Sequence, residues 1–134
     1  MPIYPRPDQI QALLGSELEG PVSMLNLLKF KERAEYEDGR ATELSGREAY
    51  RLYAEQMAPF VQAHGGRLLH SSSAHLLMIG EGDLAWDMVA IMEYPSKADF
   101  VKIVADPQVA EFSVHRTAGL ESQLLVACTA MPGF

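Results

Sequence analysis

The order of the apolar segments is the feature that most constrains how this chain folds. Four segments predict strands, because each is short, rich in large apolar side chains and bounded by turn-forming or polar residues. The predicted strands cover residues 21–30, 67–80, 86–94 and 122–130. A helical stretch follows the first and the third of them. The chain therefore runs strand, helix, strand, strand, helix, strand.

The first of these helical stretches has the clearest start signal. Ser45 and Glu48 have the spacing of a capping box, in which each side chain bonds to the other residue's amide. Pro59 lies inside the stretch and predicts a kink or a break. Gly65 and Gly66 predict its end. The predicted buried stripe consists of Ala49, Tyr53, Met57, Phe60 and His64.

The second helical stretch is divided in two. Ser96 and Asp99 predict a helix start directly after Pro95. Asp106 and Pro107 fit a new N-cap and first helical position, which predicts a further short helix over residues 108–114.

This order predicts an α+β protein with the ferredoxin-like βαββαβ arrangement and a four-stranded antiparallel sheet. Right-handed crossovers place both main helices on one face of that sheet. A length of 134 residues predicts a single domain over residues 1–134. An extra helical extension is predicted at residues 1–20. The charged segment at residues 31–44 is predicted to be a solvated loop without a function, with a lid as the alternative.

The predicted strands are apolar on both faces, which predicts a homodimer. Trp86, Met88, Ala90 and Met92 alternate with Val89 and Ile91 in the third strand. Leaving such a second face in water would forgo on the order of 10 kcal/mol. A second copy packed sheet to sheet is the simplest cover. The alternative is that the N-terminal helix and the long loop cover this face within one chain.

Composition excludes several classes of partner. A net charge of −7 and a pI near 5.0 argue against nucleic acid. Cys128 is the single cysteine, so neither an intramolecular disulfide nor a thiolate metal cluster is expected. The first ten residues do not resemble a signal peptide, and no apolar run approaches the ~20 residues of a membrane-spanning helix. The expected location is the cytoplasm.

Four stretches of the sequence together resemble a known family. They are MLNLLKF, GREAYRLYAEQMAPFVQAHGGRLL, WDMVAIMEYPSKADFVKIVADP and HRTAGLE, and the resemblance as a whole extends over residues 22–129. They resemble the domain-of-unknown-function family thirteen-thirty of the dimeric α/β-barrel superfamily. The resemblance implies a homodimer in which two sheets enclose a barrel. It implies no particular reaction, since similar superfamily members range from cofactor-independent monooxygenases to ligand-binding modules.

Five residues are candidates for a functional site. His115 is a possible acid or base and Arg116 can hold a carboxylate or oxyanion, so these two are the predicted catalytic residues. The structural alternative is that both stabilise the C-terminus of a helix. Asn26, Tyr53 and Trp86 are the predicted substrate-binding residues. Their structural alternatives are a backbone-bonded amide, core packing and a dimer contact, respectively.

Neither a metal nor a cofactor is expected, because the four histidines at 64, 70, 75 and 115 lack ligand spacing. Two functional hypotheses follow from the sequence and the resemblance. The first is a cofactor-independent enzyme that acts on a small, apolar, oxygen-bearing metabolite. The second is a non-catalytic module that binds a small ligand or another protein.

Overall fold

The computed structural model describes residues 2–133, in which a four-stranded antiparallel sheet carries its helices on one side. The elements in chain order are α1 (Pro7–Gly15), β1 (Val22–Phe30), α2 (Gly46–Ala63), β2 (Arg67–Ser73), β3 (Met88–Tyr94), α3 (Lys97–Val104), α4 (Pro107–Gly119) and β4 (Leu120–Cys128). The strand order is β2-β3-β1-β4. This order confirms the ferredoxin-like prediction, and α1 is the extra N-terminal helix.

The predicted start of α2 is confirmed, whereas the break inside it is not observed. The Ser45 side chain accepts from the Glu48 amide at 3.1 Å, and Glu48 accepts from the Ser45 amide at 2.9 Å. α2 then continues through Pro59 to Ala63 as one helix. Pro59 and Glu55 are both exposed, so water can solvate the Glu55 carbonyl that lacks its helical donor. The predicted stripe is partly wrong, because Tyr50 and Val61 are buried while His64 is exposed.

The last helix is longer than its sequence signals predicted. Asp106 caps α4 as expected, accepting from the Gln108 amide at 2.8 Å. The helix then continues to Gly119 instead of ending near residue 114. His115 and Arg116 therefore lie within α4 and not beyond its end.

The second strand is shorter than predicted. β2 ends at Ser73, with an irregularity between Leu68 and His70, and residues 74–87 form a long connection to β3. Leu76, Met78 and Ile79 in this connection are exposed. The apolar run that contains them predicted a strand from its local pattern alone. A strand also needs a hydrogen-bonded neighbour, and the pairing of β2 with β3 ends at Ser73.

We call the sheet face that packs against the helices the inner face. Its core consists of Val22, Met24, Met57, Val61, Tyr94, Phe100, Ile103 and Val109. α1 packs on α3 and contributes Ile10 and Leu13 to the edge of this core. The loop at residues 31–44 packs on the helix layer through the Glu35 amide, which donates to Ala118 O at 3.0 Å.

This loop is not the solvated segment that the sequence predicted. Ala34 and Tyr36 are buried within it, 3% and 8% exposed, and the Arg40 guanidinium lies 4.4 Å from the centre of the Tyr36 ring. Its charged residues face water while these two anchor it. A prediction based only on the number of charged residues therefore missed how this loop packs.

The opposite, outer face of the sheet carries two cross-strand rows of aliphatic side chains. The ladders align Val89, Leu27 and Leu124 in one row and Ile91, Leu25 and Val126 in the other. Leu124 and Val126 are about half exposed, 49% and 45%. Neither α1 nor the loop at 31–44 covers this face. Within residues 2–133, the single-chain alternative to a dimer is thus not observed.

No helix in the described part of the chain is long and apolar enough to cross a membrane. The cytoplasmic location stays a prediction from the sequence.

Candidate functional site

A cavity of about 350 Å³ lies between the inner face of the sheet and the helices of the same chain. We call it the central cavity. A second cavity of about 380 Å³, the arm cavity, adjoins it beside α1 and the residues before it. The two share walls that include Tyr4, Met24, Phe100, Arg116 and Gln123. The resemblance implied an interior enclosed by two sheets of a dimer, whereas these cavities are formed within one chain.

A line of three hydrogen-bonded side chains crosses one wall of the central cavity. Arg116 Nη2 donates to Gln123 Oε1 at 2.6 Å, and Gln123 Nε2 donates to Asn26 Oδ1 at 2.7 Å. Asn26 Nδ2 in turn donates to the carbonyls of Met24 and Ala90, at 3.1 and 3.2 Å. The line ends on the backbone of β1 and β3. Arg116 is therefore held in place by the rigid centre of the sheet.

The register of the sheet explains why these groups meet. Asn26 is paired with Leu125, and Gln123 with Leu28, so both amides lie on the inner face two residues apart on neighbouring strands. Diagonal neighbours at this separation are within reach of long side chains. Arg116 reaches the same point from α4 above the sheet.

Three tyrosines contribute hydroxyls to the central cavity. Tyr50 and Tyr53 project from α2, with ring centres 5.3 Å apart, and Tyr94 comes from the end of β3. In residues 2–133, no protein group forms a hydrogen bond with these three hydroxyls, and none of the oxygens is sealed from open space. Burial raises the pKa of all three phenols, so they are neutral donors near neutral pH.

Arg116 is the only ionised side chain among the described residues that line the central cavity. It donates to two neutral oxygens, those of Gln123 and the main chain of Ile3. Across residues 2–133 it forms no ion pair with a carboxylate. The cavity therefore combines an apolar body, one positive charge and several neutral donors.

His115 lies on a different side of α4 from Arg116, because consecutive helical residues are about 100° apart around the axis. Its Nδ1 is 2.7 Å from the Tyr36 hydroxyl, and the two rings meet edge to face with centres 5.5 Å apart. It lines neither cavity. Its catalytic role stays a prediction, and the contact it makes anchors the loop at 31–44.

The surroundings of His115 predict how it titrates. Desolvation, and secondly the nearby Arg40 guanidinium, lower its pKa from the ordinary value of 6.5. A lowered pKa in the folded state means that its contribution to stability is present above pH 6.5 and is lost as the pH falls through the folded value. We expect NMR titration to give a pKa below 6.5, and Arg40→Gln to move it upward. A pKa at or above 6.5 in the wild-type protein would contradict this account of its surroundings.

Of the five predicted site residues, Asn26, Tyr53 and Arg116 all line the central cavity. Trp86 lies in the connection before β3 and lines neither cavity, so its role in binding stays a prediction. Gln123 was missed, although it is an amide in an apolar strand and the argument made for Asn26 applied to it equally. Tyr50 and Tyr94 were also missed. Tyr50 precedes Tyr53 by three residues and so shares its side of α2.

The sheet order, the one-sided helix layer and the cavity between them define a ferredoxin-like α+β protein. The family described as Domain of unknown function (DUF1330) matches residues 40–129, and the chain belongs to it. The family resemblance seen in the sequence is thereby confirmed. No curated protein matches this chain.

Several solved structures are similar to this chain. The RPA0582 protein of Rhodopseudomonas palustris, a protein of unknown function, is 34% identical, with 98% of each chain covered and a TM-score of 0.86. Its methylated form is 36% identical over 97% of this chain and 95% of that chain, with a TM-score of 0.87. SnoaB of Streptomyces nogalater, a cofactor-independent oxygenase, is 15% identical over 86% of this chain and 97% of that chain, with a TM-score of 0.53. This last likeness shows a shared fold.

Proposed function

We propose that the protein binds a small, mostly apolar, oxygen-bearing molecule in the central cavity of each chain. The observation that carries this proposal is the set of three phenol hydroxyls, on Tyr50, Tyr53 and Tyr94, that face the cavity without a protein partner. Because each of these oxygens reaches open space, a ligand with oxygen acceptors can bond to them directly, at about 0.5–1.5 kcal/mol per hydrogen bond.

The size and lining of the cavity support a compact organic ligand. Its volume of about 350 Å³ falls within the usual range of small-molecule sites. Met24, Phe100 and Val104 supply apolar walls around the polar groups. Such walls favour an apolar body, while the tyrosines and Arg116 orient its oxygens.

The first hypothesis for this site is a cofactor-independent enzyme that acts on the bound molecule. The shared fold with SnoaB supports only that such a scaffold can hold an activity of this kind, because fold does not determine chemistry. In the central cavity, Arg116 is placed to stabilise developing negative charge and the neutral phenols are placed to donate protons. The second hypothesis is a non-catalytic binding module. Consumption of a bound compound by the purified protein in air, without additions, would favour the first.

Substituting the tyrosines separates a ligand site from ordinary packing. Tyr50→Phe and Tyr94→Phe remove donors that have no protein partner, so we expect unchanged or slightly higher stability without ligand. We also expect the double variant to bind phenyl-substituted carbonyl compounds about 30-fold more weakly, at roughly 1 kcal/mol for each of the two lost hydrogen bonds. Thermal unfolding and isothermal titration calorimetry measure the two effects.

Tyr36→Phe is the matched control, because Tyr36 is equally buried but its hydroxyl bonds to His115 outside the cavity. It should lose about 1 kcal/mol of stability and keep its ligand affinity. If the Tyr50 and Tyr94 variants lose stability as this control does and bind ligand unchanged, the hydroxyls have a structural role and the proposal fails.

We also propose that the protein is a homodimer formed through the outer face of the sheet. The two rows of aliphatic side chains on this face contain no charge, and contiguous apolar patches of this kind mark interaction sites. A two-fold axis lets one such patch bury its own copy, which makes a second chain the simplest partner. Because the central cavity lies within one chain, ligand binding and dimerisation are separable.

A further inference from the structure

We propose that the ligand of the central cavity is an organic anion, and that its charged group binds Arg116 in place of the main-chain carbonyl of Ile3. This inference rests on the proposed function and adds to it the class of ligand and the way in which it enters. The argument starts from the residues that precede α1.

Residues 2–6, which we call the arm, close the space where the central and arm cavities meet. Arg116 donates to Ile3 O, and its guanidinium lies 5.1 Å from the centre of the Tyr4 ring. The Tyr4 hydroxyl bonds to the Thr117 hydroxyl, and the backbone amide of Gln123 donates to Pro2 O at 3.3 Å. Two of these four attachments depend on the Arg116 side chain. The position of the arm is thus tied to what Arg116 binds.

Besides these attachments, the arm is held by Ile3, which is partly buried against the cluster of Leu28, Phe30, Tyr50 and Leu120. Tyr4 is 54% exposed, its neighbours Pro2, Pro5 and Arg6 are exposed, and α1, which follows, contains no buried residue. Segments with few buried contacts open locally at a small fraction of the global unfolding free energy. Displacing the arm therefore leaves the core of the domain in place.

The charge of Arg116 selects the occupant. In the part of the chain that the structure describes, both hydrogen bonds of its guanidinium come from Nη2 and go to uncharged oxygens. Nε and Nη1 stay available, and together with Nη2 they present the planar fork that fits a carboxylate. The Ile3 carbonyl is neutral, whereas an anion adds the attraction of opposite charges and, as a carboxylate, can accept two parallel hydrogen bonds from the fork. An anion therefore competes well against the Ile3 carbonyl.

The phenols are placed to assist the same group. Arg116 opposes the burial-driven rise in the pKa of both Tyr50 and Tyr53, so these hydroxyls lie within its electrostatic reach. They can donate to an anion that the guanidinium holds. The single positive charge and the apolar walls favour a monoanion with an apolar body over a polyanion such as a nucleotide.

The test compares 4-phenylbutyrate with its neutral amide, 4-phenylbutyramide, which has nearly the same shape. We expect calorimetry to show at least about tenfold tighter binding of the acid to the wild-type protein, and Arg116→Gln to remove the difference. Arg47→Gln, an arginine that lines neither cavity, should leave it intact. Hydrogen exchange of the Gln123 backbone amide, which donates to Pro2 O, should become faster when the acid binds and displaces the arm.

The possible failures are distinguishable. Equal affinity for acid and amide in the wild-type protein, or unchanged exchange of the Gln123 backbone amide on acid binding, overturns the proposal that an anion replaces Ile3 O, while the binding function stands. No binding of either compound up to millimolar concentration overturns both. The comparison of acid with amide needs no variant, so it decides the matter even if Arg116→Gln does not fold.

Discussion

Gly46→Ala is expected to destabilise the protein by about 3 kcal/mol or more, the largest stability loss we predict for a single methyl group. A Cβ at Gly46 would lie 2.6 Å from Gly119 O and 2.7 Å from Lys31 N, and closer still to Lys31 O. All three are backbone atoms, so no side-chain rotation relieves the overlap. The start of α2 would have to separate from the ends of β1 and α4.

That separation also breaks backbone hydrogen bonds. The Lys31 amide donates to Gly119 O at 2.8 Å, and the Gly46 amide donates to Lys31 O at 3.1 Å. The second bond joins α2 to the chain that the methyl group pushes away, and the methyl group overlaps the donor and the acceptor of the first. Their loss adds to the steric cost, because buried amides and carbonyls are left without partners.

Thermal unfolding at equal protein concentration measures the effect, with an expected fall in Tm of about 10 °C or more. Gly15→Ala is the control, because a Cβ at this last residue of α1 meets nothing within 4 Å. It should leave the Tm unchanged or raise it slightly. A Gly46→Ala protein that melts within about 2 °C of the wild type would show that the helix contact is looser than described.

The role of Gly46 illustrates what the sequence could not predict. The capping box at Ser45 and Glu48 gave the start of α2 correctly, because a cap is made by residues three positions apart. The close approach of Gly46 to Gly119 joins residues 73 positions apart, and no local pattern encodes it. The fold, in contrast, was predictable, because the order of helices and strands follows from local periodicity and a few connection rules.

The candidate site was predictable where a polar side chain interrupted an apolar pattern. Asn26 was found in this way, and Arg116 was found as half of the His115–Arg116 pair. Both belong to the same line of hydrogen bonds. His115 was grouped with Arg116 because α4 was predicted to end before them. In the longer helix the two side chains point in different directions. Gln123 lies in the regular part of the pairing of β1 with β4, so simple alternation along β4 would have placed it on the face of Leu125.

Val126→Lys is expected to convert the proposed dimer into monomers at micromolar concentration. Val126 pairs with Leu25 in one of the two aliphatic rows on the outer face, and these rows contain no carboxylate. A two-fold interface would bury two lysines, one from each copy, and an unpaired buried charge costs several kcal/mol. The dissociation constant should therefore rise by about 100-fold or more.

Light scattering coupled to size exclusion measures the change, since each chain has a mass of 14.8 kDa. Val114→Lys is the matched control: Val114 lies on α4 and is 43% exposed, against 45% for Val126. This control should stay dimeric, and the monomeric Val126→Lys protein should still bind 4-phenylbutyrate because the central cavity is complete within one chain. A wild-type protein that elutes at 14.8 kDa at micromolar concentration would refute the dimer. A dimeric Val126→Lys protein would place the interface on another surface.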